Sequence, residues 1–190
     1  MKQLKAKKIQ HAPVTHGDLT KFRDDLLAEN NAQQSIVDWL TLLREVAQNN
    51  GTPTGYHYAG VGDFLLQHGV WYEPRPLPRH VCMGIRRACF GNALALCRWR
   101  GYAYVEGYAI PQIEGLHFPT HHAWNLDRDG NLIDSTWEKV GRAYFGVAFP
   151  LMVAQRALLR ANNTVLDNPR SRFAIFRNPH VDTCTLTMRT

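Results

Sequence analysis

Apolar residues recur at helical spacing along the first half of the chain and at every second position through its middle, a switch that predicts helices followed by strands. Leu19, Phe22, Leu26 and Leu27 share one helical face over residues 19–30, with Asp18 as N-cap. Ile36, Trp39, Leu40 and Leu43 form the stripe of a second helix over 32–47, ended by the Asn49 to Pro53 run. A loop over 52–60 and a short helix over 61–68, stopped by Gly69, come next. Pro74, Pro76 and Pro78 then forbid a helix and predict an extended connector through 79. Residues 87–100 read as a buried helix with Cys89, Ala93, Leu96 and Cys97 on one side and Gly101 as its stop.

From 102 to 110 the period becomes two: Tyr102, Tyr104, Glu106 and Tyr108 face one way, and Ala103, Val105, Gly107 and Ala109 the other. A loop through Pro111, Gly115 and Pro119 leads to a hairpin whose strands carry His121, His122 and Trp124, then Ile133 and Asp134. A strand over 143–149 stops at Pro150, a helix over 151–159 aligns Leu151, Ala154 and Leu158, and 172–176 reads as a short strand. The pattern predicts an α+β fold. A helical N-terminal layer and a central helix bearing the cysteine pack with an antiparallel sheet. Within one domain of residues 1–190, residues 1–17 form a flexible basic tail and 18–79 the helical layer and connector. Residues 80–150 carry the chemistry, and 151–190 the last helix and tail.

The hairpin makes a geometric demand. Asp129-Gly130 is a strong turn signal. A two-residue turn would pair Asp134 with Asn125 and aim it away from His122. A three-residue loop, Arg128-Asp129-Gly130, would set Asp134 opposite Trp124, so that His122 and Asp134 share a face as diagonal neighbours. The second arrangement lets a carboxylate orient an imidazole.

A nucleophile stands upstream. Cys89 opens the predicted helix, where the positive end of the helix dipole, with Arg86 and Arg87 beside it, favours a thiolate. Cys97, late in the same helix, is assigned to packing. His121 points to the opposite face from His122. Glu106 is a carboxylate on an otherwise apolar strand, costly unless paired. It is expected to hold Arg86 or Arg142, or else to line a substrate cleft. Trp124 and Trp137 are expected to wall the His–Asp pair from water.

Composition narrows the setting. The chain has 190 residues, 45% hydrophobic and 20% charged, which suits one soluble globular domain. No apolar run approaches the roughly 20 residues that span a bilayer. No apolar segment follows the basic N-terminus, so a secretory signal is not read there and the expected location is cytoplasmic. The net charge of +6 includes four lysines in the first eight residues, and the rest is scattered. It is therefore read as solubility or attraction for acidic partners rather than as a nucleic-acid footprint. The four cysteines form no CxxC pair, and Cys82, Cys89, His121 and His122 match no usual zinc spacing. No metal, cofactor or membrane contact is expected.

Cys89 at a helix start, the strand through Tyr104 to Tyr108, His122-Ala123-Trp124, and Ile133-Asp134-Ser135-Thr136-Trp137 together resemble the core of the transglutaminase-like superfamily. That family is a circularly rearranged relative of papain-type cysteine proteases. The likeness covers roughly residues 80–150. It implies a transglutaminase-like or papain-like core with Cys89 as nucleophile, His122 as base and Asp134 as the group that orients the base. The family's Gly-x-Cys is replaced here by Arg87-Ala88-Cys89. The glutamine that papain-type enzymes place before the cysteine is absent, with Met83 and Gly84 in that neighbourhood. The Cys89 backbone N–H is one expected oxyanion donor. By analogy with some transglutaminases, the indole of Trp71 is the candidate second. The implied activity is amide hydrolysis, deamidation or acyl transfer on a protein or peptide through a thioester. The rival expectation is an inactive binding module of the same fold whose basic surface docks a protein or nucleic acid.

Overall fold

The computed structural model describes residues 32–113, 118–160 and 164–177. The expected basic tail, the Asp18 cap, the helix over 19–30, Gly115, Cys184 and the end of the C-terminal tail lie outside the described residues.

Helix α1, Ala32–Asn49, buries Ile36 and Leu40 and turns its polar side to solvent. Helix α2, Val61–His68, lies tightly against it at Gly62, where a Cβ would stand 2.3 Å from the Leu40 carbonyl oxygen. Helix α3, Cys89–Arg100, ends at Gly101 in the left-handed conformation, φ 68°, as the stop signal predicts. The strands are β1 (Val70–Tyr72), β2 (Ala103–Ile110), β3 (Thr120–Leu126), β4 (Leu132–Ile133) and β5 (Ala143–Phe149). They form one antiparallel sheet in the order β1-β5-β2-β3-β4. The mixed α+β architecture with an antiparallel sheet is thus as the periodicity predicts. Among the described residues no helix is long and apolar enough to cross a membrane.

Both faces of the sheet are covered. Tyr104, Ile110, Ala123, Phe145, Val147 and Phe149 face the helices and form the larger core with Ile36, Leu40, Phe64, Leu65, Ala93 and Leu94. Val105, Ala109, Trp124, Leu126, Leu132, Tyr144 and Ala148 form a second core on the other face, closed by Tyr72, Trp137 and Val140. That accounts for β5, an unbroken apolar run that is buried along its whole length. Each fully buried large side chain stabilises the fold by about 2 kcal/mol. Gly107 of β2 is in register with Gly146 of β5, and a Cβ on Gly107 would stand 2.2 Å from the Phe145 carbonyl oxygen. The two strands approach more closely there than side chains would permit.

Three expectations are corrected. Trp71 belongs to a short edge strand, β1, because its backbone finds a partner in Phe145, before the prolines begin. The segment 172–176 is not a strand. Arg172 and Phe173 are left-handed, φ 51° and 48°, and Ala174–Phe176 is a 3-10 turn. Its backbone bonds go to loops instead: Phe173 N–H donates to the Asn168 carbonyl at 2.9 Å, and the Phe176 carbonyl accepts from His57 and Tyr58 at 2.8 and 3.0 Å. The helix over 151–159 is α4, Leu151–Gln155, continued by a π-helical turn, Arg156–Arg160.

Candidate active site

The site begins with the hairpin loop. Asp127 N–H donates to the Asn131 carbonyl at 3.0 Å, and Gly130 N–H to the Asp127 carbonyl at 3.1 Å. The Asp127 Oδ1 accepts from the amides of Asp129 and Asn131 at 2.9 and 2.8 Å. Gly130 sits at φ 79°, where a Cβ would be strained. The loop therefore holds three residues, 128–130. Asn125 pairs with Ile133 and Leu126 with Leu132, so Asp134 continues the register opposite Trp124. β4 pairs only this far, which leaves β3 an edge at His122. With the odd loop, Asp134 and His122 fall on the same face, and His122 Nε2 meets Asp134 Oδ2 at 2.8 Å.

Asp134 is held by more than the imidazole. The Tyr144 hydroxyl donates to Oδ2 at 2.9 Å and the Thr136 amide to Oδ1 at 2.9 Å. The Tyr144 oxygen in turn accepts from Gly141 N–H at 2.8 Å. Burial pushes the Asp134 carboxyl up, but the hydrogen bond and charge of His122, then the Thr136 amide and Tyr144, hold it below the usual range. Trp137 stacks on the His122 ring, 3.9 Å between centroids and 8° from parallel. Trp124 lies behind, 6.2 Å from the same ring.

With Nε2 engaged by Asp134, Nδ1 is the nitrogen of His122 that remains for Cys89, which is close enough to act on the same imidazole. Burial is the largest single influence on His122 and lowers its pKa. The hydrogen bonds to Asp134 and Cys89, and the charges of both, outweigh it and raise the imidazole to about 9. Cys89 is the first residue of α3, so its backbone N–H is among those the helix leaves unbonded. Asn125 fixes the helix to the sheet by donating from Nδ2 to the Ala93 carbonyl at 2.8 Å.

The segment leading into Cys89 is strapped down. Asn92 Oδ1 accepts from Ile85 N–H at 3.0 Å, while its Nδ2 donates to the Ile85 carbonyl at 2.8 Å and to Thr136 Oγ1 at 2.9 Å. Gly84 N–H donates to the Ser135 carbonyl at 2.7 Å. Gly84 must be glycine, because a Cβ would stand 2.4 Å from Asn92 Cγ. Arg86 and Arg87 are exposed, and Arg87 adopts φ 62°.

Cys89, His122 and Asp134 are thus brought together, with Trp124 and Trp137 as their wall. Trp124 is buried, so it backs the histidine rather than lining an open cleft, and its indole N–H has no partner among the described residues. Trp71 is not brought to them. It shares the row of Phe145, Tyr108 and His121, whereas His122 shares the row of Gly107, Gly146 and Val70 on the opposite face. Its ring packs on Phe145 at 4.6 Å.

Glu106 is paired, but not with Arg86 or Arg142. His121 Nε2 lies 3.0 Å from its Oε1, the Tyr104 hydroxyl donates to Oε2 at 2.8 Å, and the amides of Val165 and Leu166 donate at 2.9 and 2.8 Å. Burial pushes this carboxyl up, yet His121 and the two amides bring it below its ordinary value. Glu106 therefore ties β2 to the 164–166 segment and does not line the candidate site.

Tyr144 and Asn92 are contributors that the periodicity did not single out. Each carries a signal: Tyr144 is the one hydroxyl in the β5 run, and Asn92 the one amide on the buried side of α3. No protein-family model, curated protein or solved structure matches the chain. The bearing on function comes from the chemistry of the site.

Proposed function

We propose that the chain performs thiol-dependent amide chemistry on a protein or peptide, with Cys89 as nucleophile, His122 as base and Asp134 as the group that orients the base. The observation that carries this reading is the buried His122–Asp134 pair, the carboxylate 2.8 Å from Nε2, with Cys89 close enough to act on the same imidazole. Asp134 keeps the Nε2 proton in place, so Nδ1 is the atom that takes the thiol proton. The proton passes from the thiol to Nδ1 before attack, in keeping with an imidazole raised to about 9. The Cys89 thiolate then forms the Sγ–carbonyl carbon bond and the carbonyl oxygen becomes an oxyanion, toward which the Cys89 amide is the candidate donor. Collapse breaks the C–N bond. The leaving amine takes the proton from His122, and a thioester remains. Water or a second amine, deprotonated by Nδ1, then releases the acyl group and restores the thiol. A helix-borne cysteine followed by antiparallel strands bearing the histidine and then the aspartate supports a transglutaminase-like core for this reading.

A thioester reacts with hydroxylamine, which supplies the test. Glutamine-containing peptides from a casein digest, incubated with the chain in neutral hydroxylamine, are expected to yield hydroxamates detectable by mass spectrometry. The products should vanish with Cys89→Ala and fall steeply with His122→Ala. Identical product spectra from wild type and Cys89→Ala, with neither hydroxamates nor hydrolysis, would falsify the proposal.

A further inference from the structure

The outer side of α3 carries apolar side chains that nothing in the described fold covers. Trp99 is 84% exposed, and Met152 and Leu159, across from it after β5, are 62% and 60% exposed. Between these walls runs a hollow of about 470 Å³ floored by Phe90, Leu94 and Leu158. A second hollow of about 190 Å³ continues it past Met152 and Arg156. Arg98 and Leu159 line both, so the two form one groove. An exposed tryptophan with an arginine beside it over an apolar floor is the composition of a protein-binding hot spot rather than of ordinary surface.

The charge of the walls selects the occupant. Among the described side chains of Cys89–Arg100 and Leu151–Arg160 there are three arginines and no aspartate or glutamate. Arg98, Arg100 and Arg156 are exposed. We propose that this groove docks an acidic amphipathic segment of a protein partner, its apolar side chains filling the hollows and its carboxylates meeting the arginines. A nucleic acid would need several stacking platforms, and Trp99 is the only exposed aromatic in the groove's lining. A membrane surface would need a convex apolar face, whereas the floor here is concave. The lining includes Phe90, the residue after Cys89, but not Cys89 itself. Docking itself needs no thiol chemistry, and the inference stands apart from the proposed reaction.

The probe is a fluorescein-labelled helical-pattern peptide of leucine and glutamate, titrated with the full chain by fluorescence anisotropy. Its control is the same peptide with lysine in place of glutamate. The glutamate peptide is expected to bind saturably, more weakly as salt rises, and the lysine peptide not to bind. Trp99→Ala and the pair Arg98→Glu with Arg156→Glu should each weaken binding by at least about tenfold. These side chains are exposed, and unchanged circular dichroism would show the variants folded. Cys89→Ala should bind as wild type does. Equal binding of the two peptides, or wild-type affinity in both groove variants, would overturn the proposal. So would tighter binding of a single-stranded oligonucleotide or anionic vesicles that is lost in the same variants. A dimer by sedimentation that Trp99→Ala abolishes would assign the groove to a second copy of the chain instead.

Discussion

Replacing Asp134 by asparagine keeps the size of the side chain and removes one charge. Three donors point at the native carboxylate: His122 Nε2–H, the Tyr144 hydroxyl and the Thr136 amide. An amide offers one acceptor oxygen. With that oxygen kept toward Thr136, the NH₂ faces His122 and donates to Nε2. The neutral imidazole then carries its proton on Nδ1, the atom that must accept from Cys89. The rise of His122 from 6.5 to about 9 corresponds to about 3 kcal/mol of preference for the protonated ring, most of which is expected to disappear. His122 is raised on folding, so its stabilisation is fully present below pH 6.5 and is lost as pH rises through about 9. Asp134 is lowered, so its share is present above the unfolded carboxylate value and lost as pH falls through the lower folded one. Urea unfolding across pH should therefore show D134N less stable than wild type, with the gap widest near pH 6 and narrowing above about 9 and in acid. Iodoacetamide labelling of Cys89 near neutral pH, followed cysteine by cysteine by mass spectrometry, should slow by at least about tenfold. A gap that ignores pH, or a D134N labelling rate equal to wild type, would refute the coupling of Asp134 to the thiol through His122.

Three further outcomes are expected. Deleting Arg128 leaves a two-residue turn and sends Asp134 to the other face, so Cys89 labelling should drop to the rate of buried Cys97; wild-type labelling would break the parity argument. Asn92→Ala removes the acceptor of the Ile85 amide and the bond to Thr136, while the Ile85 carbonyl keeps the Ala88 amide, and should cost about 1–2 kcal/mol in urea unfolding. Gly84→Ala should be less harmful in that background than alone, because the group it strikes is gone, and additive effects would count against the strap. Glu106→Gln removes the charge facing His121 and leaves at least one of the Val165 and Leu166 amides without its acceptor, so stability should fall by about 3 kcal/mol. Its Cys89 labelling rate, measured where the variant is folded, should stay near wild type, and a collapse in that rate would place Glu106 in the site after all.

The hairpin was readable in the sequence because a local rule governs it. Asp129-Gly130 implies a turn, and the need for His122 and Asp134 to share a face selects the three-residue loop, which the Asn125–Ile133 pairing shows. α3 and β5 were readable for a similar reason: Gly101 and Pro150 mark where each stops. What escaped depends on distant partners. β1 is three residues long, and only β5 makes it a strand. The 172–176 segment has strand composition, but its backbone bonds go to residues 57, 58 and 168, and Tyr56 donates to the Arg172 carbonyl at 2.6 Å. Glu106 was correctly read as needing a partner. Its choice of His121 over an arginine follows from a cross-strand neighbourhood, Glu106 opposite Ala123 and Tyr108 opposite His121. Trp71 was misassigned because the parity applied to His122 and Asp134 was not available for a strand not yet recognised.

Asp134-Ser135-Thr136-Trp137 concentrates most of what sets the geometry of the site. Asp134 fixes the histidine tautomer, and Trp137 fixes the plane of the ring. The Ser135 carbonyl and the Thr136 hydroxyl hold Gly84 and Asn92, which flank the cysteine on the other element. The thiol rides on a helix and the imidazole on a strand, so their separation would ordinarily depend on how helix and sheet pack. Here both are tied to the same four residues. A small shift of α3 against the sheet would have to break the Asn92–Thr136 bond before it moved Cys89 away from His122. A catalytic pair must hold its distance to well within an ångström. One segment bonded to both partners meets that demand with less reliance on the packing of the whole domain, which is why Asn92 and Thr136 deserve to be grouped with the three residues they position.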